Sequence, residues 1–243
     1  TDDSIEWLLE TFKLKEFSKN EYRSTQRIQK KKIDFLLLIN SKNMRFGAAV
    51  NKAVQNISND LFFLLNNDVE PTSDVLTFLI PHFQKHNIFA VGCLEYESLE
   101  HRNASGKSDL WFEKGLFHHS KAETIHAGDT AWVAGGSGLF SKEKWIELDG
   151  FDPAYYPAYW EDIDISHRAR KKGWKVLFEP KAIVYHLHES TNRPVFGDAS
   201  VRAMSWRSAD IFTWKHSSIF QKLLFIIWRP FWILKRMQVS LLS

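Results

Sequence analysis

The chain has 243 residues, 44% of them hydrophobic, with 32 Lys and Arg against 29 Asp and Glu for a net charge of +3. This is enough apolar material for one large α/β domain or two small ones, it excludes a disordered chain, and so small a net charge gives no support to a nucleic-acid partner. The lone Cys93 excludes an internal disulfide and fits a core position in a reducing compartment, and no apolar run approaches the roughly 20 residues that span a bilayer.

Asp3 or Ser4 is placed to cap a first helix carrying Ile5, Leu8, Leu9 and Phe12. Lys13 to Lys32 is polar and basic and reads as an extended surface connection. IDFLLLIN, Ile33 to Asn40, has the short apolar run of a buried strand, and a helix follows through Ala48, Ala49, Ala53 and Val54. LFFLLNND, Leu61 to Asp68, predicts a second buried strand that ends in polar residues. A helix from about Ser73 to His86 and a strand IFAVGCLEY come next. From Glu97 to Ala131 the pattern weakens to loops and short strands punctuated by Gly106, Gly115 and Gly128. WVAGGSGLFS, Trp132 to Ser141, resumes as a glycine-centred strand, and Lys142 to Leu148 forms a helix ended by Gly150. The segment YWEDIDISHRARKKG opens another helix, and WKVLFEPKAIVYH is extended to His186. Strands alternating with helices at this spacing predict a mostly parallel sheet with helices on both faces, whose ligands bind at the carboxyl ends of the strands; Asp68 stands at one such end.

The ordered set AGGSGLF, GFDPAYYPAYWEDID and VYH, with Asn66-Asn67-Asp68 upstream, resembles the family 2 inverting glycosyltransferases, of the rhamnosyl- and galactofuranosyl-transferase kind. The resemblance runs from Thr1 to roughly Arg193 and is strongest from Val133 to His188. It implies the GT-A nucleotide-sugar-binding fold, Rossmann-like: a mixed, mostly parallel sheet flanked by helices. TDDS looks like the end of the stretch that closes the family's opening strand, helix and strand, so the fold is expected to lack its first strands.

The resemblance assigns roles residue by residue. Transfer from a sugar nucleotide expels a diphosphate whose charge Mn2+ or Mg2+ neutralises well. Asp68 is then the metal-binding carboxylate and His186 its imidazole partner, while Asn66 replaces the family's first aspartate and can bond a ribose hydroxyl. His188 would share a strand face with His186, and otherwise simply starts a loop. Asp162 becomes the base that takes the acceptor's proton, with Glu161 and Asp164 orienting the acceptor or raising the base's proton affinity by like-charge repulsion. Arg168, four positions after Asp164, has the spacing of a helical ion pair. Trp160 and its neighbours Tyr155, Tyr156 and Tyr159 either stack on a sugar or pack. Gly135 and Gly136 either admit a ligand close to the backbone or form a bulge. Asn43, Arg45 and Asn51, in NMRFGAAVNKAV, fall on the nucleotide or diphosphate side, Arg45 as a phosphate partner or as a surface residue.

Residues 1–210 are thus expected to form the catalytic domain, incomplete at its N-terminus, and 211–243 a basic amphipathic helical tail. After Asp210 there is no acidic residue, while Lys215, Lys222, Arg229, Lys235 and Arg236 stand among Trp, Phe, Ile and Leu. Such a tail suits a helix pair interrupted near Arg229-Pro230 and lying on anionic lipid, or one packed on the catalytic domain. The expected partners are a nucleoside-diphosphate sugar and a glycan or lipid-linked acceptor in cell-surface polysaccharide or glycolipid synthesis, at the cytoplasmic membrane face. The alternatives are a non-catalytic interaction module, favoured by Asn66, and a nucleotidyltransferase, which would carry a Gly- and Lys-rich phosphate loop.

Overall fold

The computed structural model describes residues 3–97, 104–186 and 197–241. Two units separate at Arg45: Thr1–Arg45 and Phe46–Ser243.

The first unit opens with α1 (Ser4–Thr11), where Asp3 caps through its carbonyl, accepting from Trp7 N at 2.9 Å, and makes no side-chain cap. Three antiparallel strands follow: β1 (Lys15–Ser18), β2 (Glu21–Ile28) and β3 (Lys31–Leu38). The expected surface connection is therefore a pair of strands. Its polar side chains hid an alternation in which Tyr22, Ser24 and Gln26 are half-buried and Arg23, Thr25 and Arg27 exposed. Gln29 and Lys30, both with positive φ, make the two-residue turn into β3 that matches the twist of a hairpin. Ser24 Oγ and Gln26 Nε2 both donate to the Phe12 carbonyl, at 2.5 and 2.6 Å, and Phe12 stacks on Phe35 at 4.7 Å. The strand within IDFLLLIN forms, but it is half-buried at most and exposed over its first half.

The second unit contains, in order, α2 (Arg45–Gln55), β4 (Leu61–Leu65), β5 (Val69–Pro71), α3 (Val75–Leu79) with a tighter turn to Gln84, β6 (Ile88–Tyr96), β7 (Ala104–Ser105), β8 (Ser108–Glu113), β9 (Leu116–Lys121), β10 (Gly128–Asp129), β11 (Ser137–Ser141), α4 (Lys142–Glu147), α5 (Glu161–Lys171), β12 (Lys175–His186), α6 (Asp198–His216) and α7 (Ile219–Leu241). The main sheet runs β10-β12-β6-β11-β4, with β5 on β12 and β7 on β6. It is a mixed sheet flanked by helices, as expected. Parallel pairing is narrower than a mostly parallel sheet requires: among the described strands it is carried by β6 with β12, and the other ladders are antiparallel. The strand expected from Trp132 begins only at Ser137, after a turn at Gly135-Gly136.

Both faces of this sheet are apolar because successive residues on a strand point oppositely. Phe89, Phe140 and Val176 meet Val50 and Val54 of α2, Trp145 of α4, and Ile165 and Ala169 of α5. On the other face Val91, Cys93, Leu139, Ala182 and Val184 meet Val75 and Leu79 of α3. A third cluster joins Tyr155, Trp160 and Ile163 to Ala209 and Phe212 of α6. Helix α6 continues through position 210, where the sequence predicts the tail to begin, and buries Phe212 and Thr213. The break between the two final helices falls at Ser217-Ser218, and α7 runs on through Pro230. No described helix is long and apolar enough to cross a membrane.

Candidate active site

Strand directions decide what meets at the sheet's edge. β11 is antiparallel to both β4 and β6, so β4 and β6 run the same way, and β12 runs parallel to β6. The carboxyl ends of β4, β6 and β12 therefore lie on one edge with the start of β11, which brings together Asp68, Glu95, His186 and Ser137. Pairing of β5 with β12 places Val69 opposite His186 and sets Asp68 beside the imidazole.

His186 Nε2 lies 3.5 Å from Asp68 Oδ1, and its Nδ1 lies 3.8 Å from Glu95 Oε2. Glu95 is buried; its other oxygen accepts a short hydrogen bond from Ser137 Oγ, and Ser105 Oγ donates to it at 3.5 Å. Glu95 first, and Asp68 after it, raise the His186 pKa against the opposing effect of burial. A carboxylate at Nδ1 orients an imidazole so that Nε2 is the coordinating nitrogen, and that nitrogen faces Asp68. The donor set, one carboxylate and one imidazole on opposed strand ends, fits Mn2+ or Mg2+ as a two-residue seat whose other positions go to ligand oxygens. Among the described residues no three His, Cys, Asp or Glu side chains are grouped to hold a metal ion without such ligands. Glu95 was not singled out from the sequence, although an acid ending the apolar run IFAVGCL is itself a signal, since a buried strand carries a charge only where it has a partner.

Across this edge, at the first turn of α5, Asp162 is held through both oxygens by backbone: Ile163 N donates to Oδ1 at 2.8 Å and Gly135 N to Oδ2 at 3.4 Å. Ser166 of the same helix accepts from Val133 N at 3.3 Å, tying α5 to the turn before β11. Burial pushes the Asp162 pKa up to about 6, the backbone hydrogen bonds oppose it, and the Glu95 charge adds to it. Asp162 and its neighbour Glu161 thus act on each other by the expected like-charge repulsion, and Glu95 adds a second like charge. Glu161 is itself pushed up, to about 8, by burial and then by Asp162, and its Oε2 is buried with no hydrogen-bond partner among the described residues. A carboxyl in that position holds its proton more tightly than an exposed glutamate does.

Asp164 is a correction to the expected set. It is fully buried and faces away from the cleft, bonded to Arg168 Nε at 2.6 Å, Tyr155 Oη at 3.0 Å, Lys215 Nζ at 2.9 Å and His216 Nε2 at 2.6 Å. Burial disfavours its charge, but His216, Arg168 and Lys215 outweigh that and hold its carboxyl far below the usual range. The ion pair expected from the spacing of Asp164 and Arg168 is present, and Arg168 goes on to bond the Leu148 and Gly150 carbonyls.

Asn51 is engaged by the chain itself: its Nδ2 donates to Phe151 O at 2.8 Å and its Oδ1 accepts from Phe151 N at 2.9 Å, so both halves of the amide lock the GFD loop. Asn66 packs its side chain where a Cβ on Gly136 would stand, and its backbone N donates to Gly136 O at 3.0 Å. A Cβ on Gly135 would meet the Phe46 and Phe151 rings at 3.1 and 3.3 Å. Close approach is therefore required at both glycines by protein groups. Trp160 is buried at 5% exposure between His119 and Phe212. In the first unit, Asn43 Oδ1 accepts from Arg45 N at 2.9 Å, and Arg45 has a left-handed backbone. His188 lies outside the described residues.

Several known proteins resemble parts of this chain. One relative is an N-acetylglucosaminyl-diphospho-decaprenol L-rhamnosyltransferase of Mycobacterium tuberculosis, 33% identical over 63 residues, 26% of this chain. That stretch spans only 20% of the relative's own length. Among solved structures, GalNAc-T7 with UDP, GalNAc and Mn2+ superposes with a TM-score of 0.50 and 17% identity, over 60% of this chain and 31% of that one. Mannosyltransferase PcManGT from Pyrobaculum calidifontis, in complex with GDP-Man and Mn2+, gives 0.45 and 11% over 78% and 55%. The likeness to GalNAc-T7 shows a shared GT-A fold. The family model described as glycosyltransferase like family 2 matches residues 25–204, which takes in the Asp68, Glu95, Asp162 and His186 positions, and the chain belongs to that family.

Proposed function

We propose that the protein transfers a sugar, with inversion, from a nucleoside diphosphate to a hydroxyl of a growing cell-surface polysaccharide or glycolipid. The observation that carries this reading is the convergence of the Asp68–His186 pair and Asp162 on one strand edge, with Glu95 touching the first and acting electrostatically on the second. A divalent ion seated by Asp68 and His186 would offset charge on the departing diphosphate. The acceptor oxygen attacks the anomeric carbon from the face opposite the diphosphate, the carbon–oxygen bond to the diphosphate breaks, and the hydroxyl proton passes to Asp162. The two backbone N–H groups on Asp162 fix its orientation, while its raised pKa gives it proton affinity that an exposed aspartate lacks. Glu161, in its protonated form, donates to the incoming acceptor and steadies it.

The outward face of α7 supports a location on a membrane surface. Ile219, Leu223, Ile226, Ile227, Leu234 and Met237 are exposed on it, with Lys222 and Lys235 at its flanks. The test is release of nucleoside diphosphate from a panel of sugar nucleotides in the presence of Mn2+. Release that is abolished by chelation and by His186→Ala is expected; release indifferent to both contradicts the reading.

A further inference from the structure

The segment that leads into the acidic motif has no ladder of its own. Between Asp152 and Trp160 the chain makes one tight turn, Pro153–Tyr155, and ends in Tyr159 and Trp160, whose backbones are both left-handed at φ 76° and 75°. Each such residue costs on the order of 1–3 kcal/mol and persists only where surrounding contacts impose it. The segment must therefore take its position from another element.

Helix α6 is that element. Ser208, Phe212, Lys215 and His216 recur at i, i+4, i+7 and i+8, the spacing of one helix face. Ser208 Oγ donates to the Ala158 carbonyl at 3.4 Å, and the buried Phe212 ring lies 5.1 Å from the Trp160 indole. Lys215 Nζ bridges two carboxylates, Asp152 Oδ2 at 2.5 Å and Asp164 Oδ1 at 2.9 Å. Burial holds the His216 pKa down, so the neutral ring donates its Nε2–H to Asp164 Oδ1 at 2.6 Å. Beside this face, Arg207 donates to the Ala154 and Tyr156 carbonyls at 3.3 and 3.1 Å. These contacts bracket Asp162: Phe212 meets Trp160 two residues before it, and Lys215 and His216 hold Asp164 two residues after it. The reach of Gly135 N to Asp162 Oδ2, already 3.4 Å, depends on where α5 starts. The family match ends at residue 204, so all of these α6 residues lie past it.

We propose that this face of α6 is a clamp that positions the base, with Lys215 and His216 as positioning residues that act through the Asp152 loop and Asp164 and touch no substrate. The proposal rests on the transferase reading and on Asp162 as its base. Without Lys215, Asp152 and Asp164 are left as like charges that repel, and the loop and the helix part. Asp162 then gains water and loses the proton affinity that burial gives it. Glu95 and Glu161, the charged groups acting on Asp162, lie outside the clamp, so their effect is common to the parent and to variants of α6. Asp164→Asn opens the clamp less than loss of Lys215 does, because an amide oxygen still accepts from Lys215 and His216.

Two variants of the whole protein test this. Lys215→Met removes the bridge and keeps an unbranched stem, while Arg207→Met, at an exposed position, removes only the two carbonyl bonds. Each is compared with the parent by the pH profile of kcat/KM for Mn2+-supported transfer and by amide hydrogen exchange over residues 152–164. Exchange should quicken across that segment in both variants and stay unchanged in β6 and β11. In Lys215→Met the acid limb should fall by about one pH unit toward the ordinary aspartate value, with kcat down about tenfold and the KM for the sugar nucleotide unchanged. Arg207→Met should move the limb the same way by less. A helix that only added stability would scale the rate with the folded fraction and leave the limb in place. A limb that stays near 6 in both variants, or exchange over 152–164 no faster than in the parent, overturns the proposal. A parent without metal-dependent transfer removes the transferase reading, and the exchange measurement then decides alone whether α6 holds the segment.

Discussion

Asp162 and Asp164 stand two residues apart on the first turn of one helix, and the fold treats them oppositely. Asp164 points inward to Arg168, Lys215, His216 and Tyr155, and its carboxyl is held ionised. Asp162 points to the strand edge, is held by backbone N–H groups and no cation among the described residues, and has its pKa raised by burial. A carboxylate surrounded by cations gives up its proton affinity and stabilises; one surrounded by apolar groups and neutral donors keeps that affinity and can react. Within a single motif, this contrast separates the position proposed to react from the structural one.

Replacing each residue by its amide should break the comparison in opposite directions. Asp162→Asn is expected to slow transfer by about 10²–10⁴-fold, the usual contribution of a general base, while the melting temperature holds or rises because a buried charge is gone. Steady-state rates with a thermal melt check both halves. Asp164→Asn should do the reverse: removing the carboxylate leaves Arg168 without its ion-pair partner, while Lys215 keeps Asp152 at 2.5 Å, for a loss of about 3 kcal/mol in urea unfolding, with activity at low temperature close to the parent's. The signs also differ with pH. Because the folded pKa of Asp164 is depressed, its stabilisation is present above the unfolded value of about 3.9 and is lost as pH falls below it. The raised pKa of Asp162 makes its contribution favourable at low pH and lost as pH rises through about 6. Urea titrations of the two variants against pH should diverge accordingly.

Smaller effects sharpen the picture around the metal seat. Glu95→Gln weakens the carboxylate behind His186, and an outer partner of this kind commonly sets about 10–100-fold of metal affinity, readable as the Mn2+ concentration giving half-maximal rate. The smallest expected change is at the tail. Lys222→Gln should cost about 1 kcal/mol in partition to anionic vesicles by sedimentation, and nothing on neutral ones.

How much of this was legible follows from which contacts are local. Asn66 to Asp68, Glu161 to Asp164 and His186 each stand at a strand or helix end that apolar periodicity locates, so their positions could be read directly. The orientation of the three carboxylates could not, because Lys215 and His216 reach Asp164 from 51 and 52 residues away. Glu95 escaped for the same reason: its link to Ser137 joins strands 42 residues apart. Asn51 and Gly136 carried a ligand-facing expectation, yet the GFD loop and the Asn66 side chain fill those faces. In the first unit the hairpin of β1 and β2 was hidden because its alternation is between polar residues that bond a carbonyl and polar residues in water, which hydrophobic patterning does not register.

The central claim, that Asp162 is a base with an elevated pKa facing a seated metal, is tested most directly by the pH dependence of kcat/KM for Mn2+-supported transfer in the parent and in Asp162→Asn. The account predicts an acid limb in the parent with its midpoint near 6, where the base gains its proton, and a slow rate without that limb in the variant. A variant that keeps both the rate and the limb would contradict it.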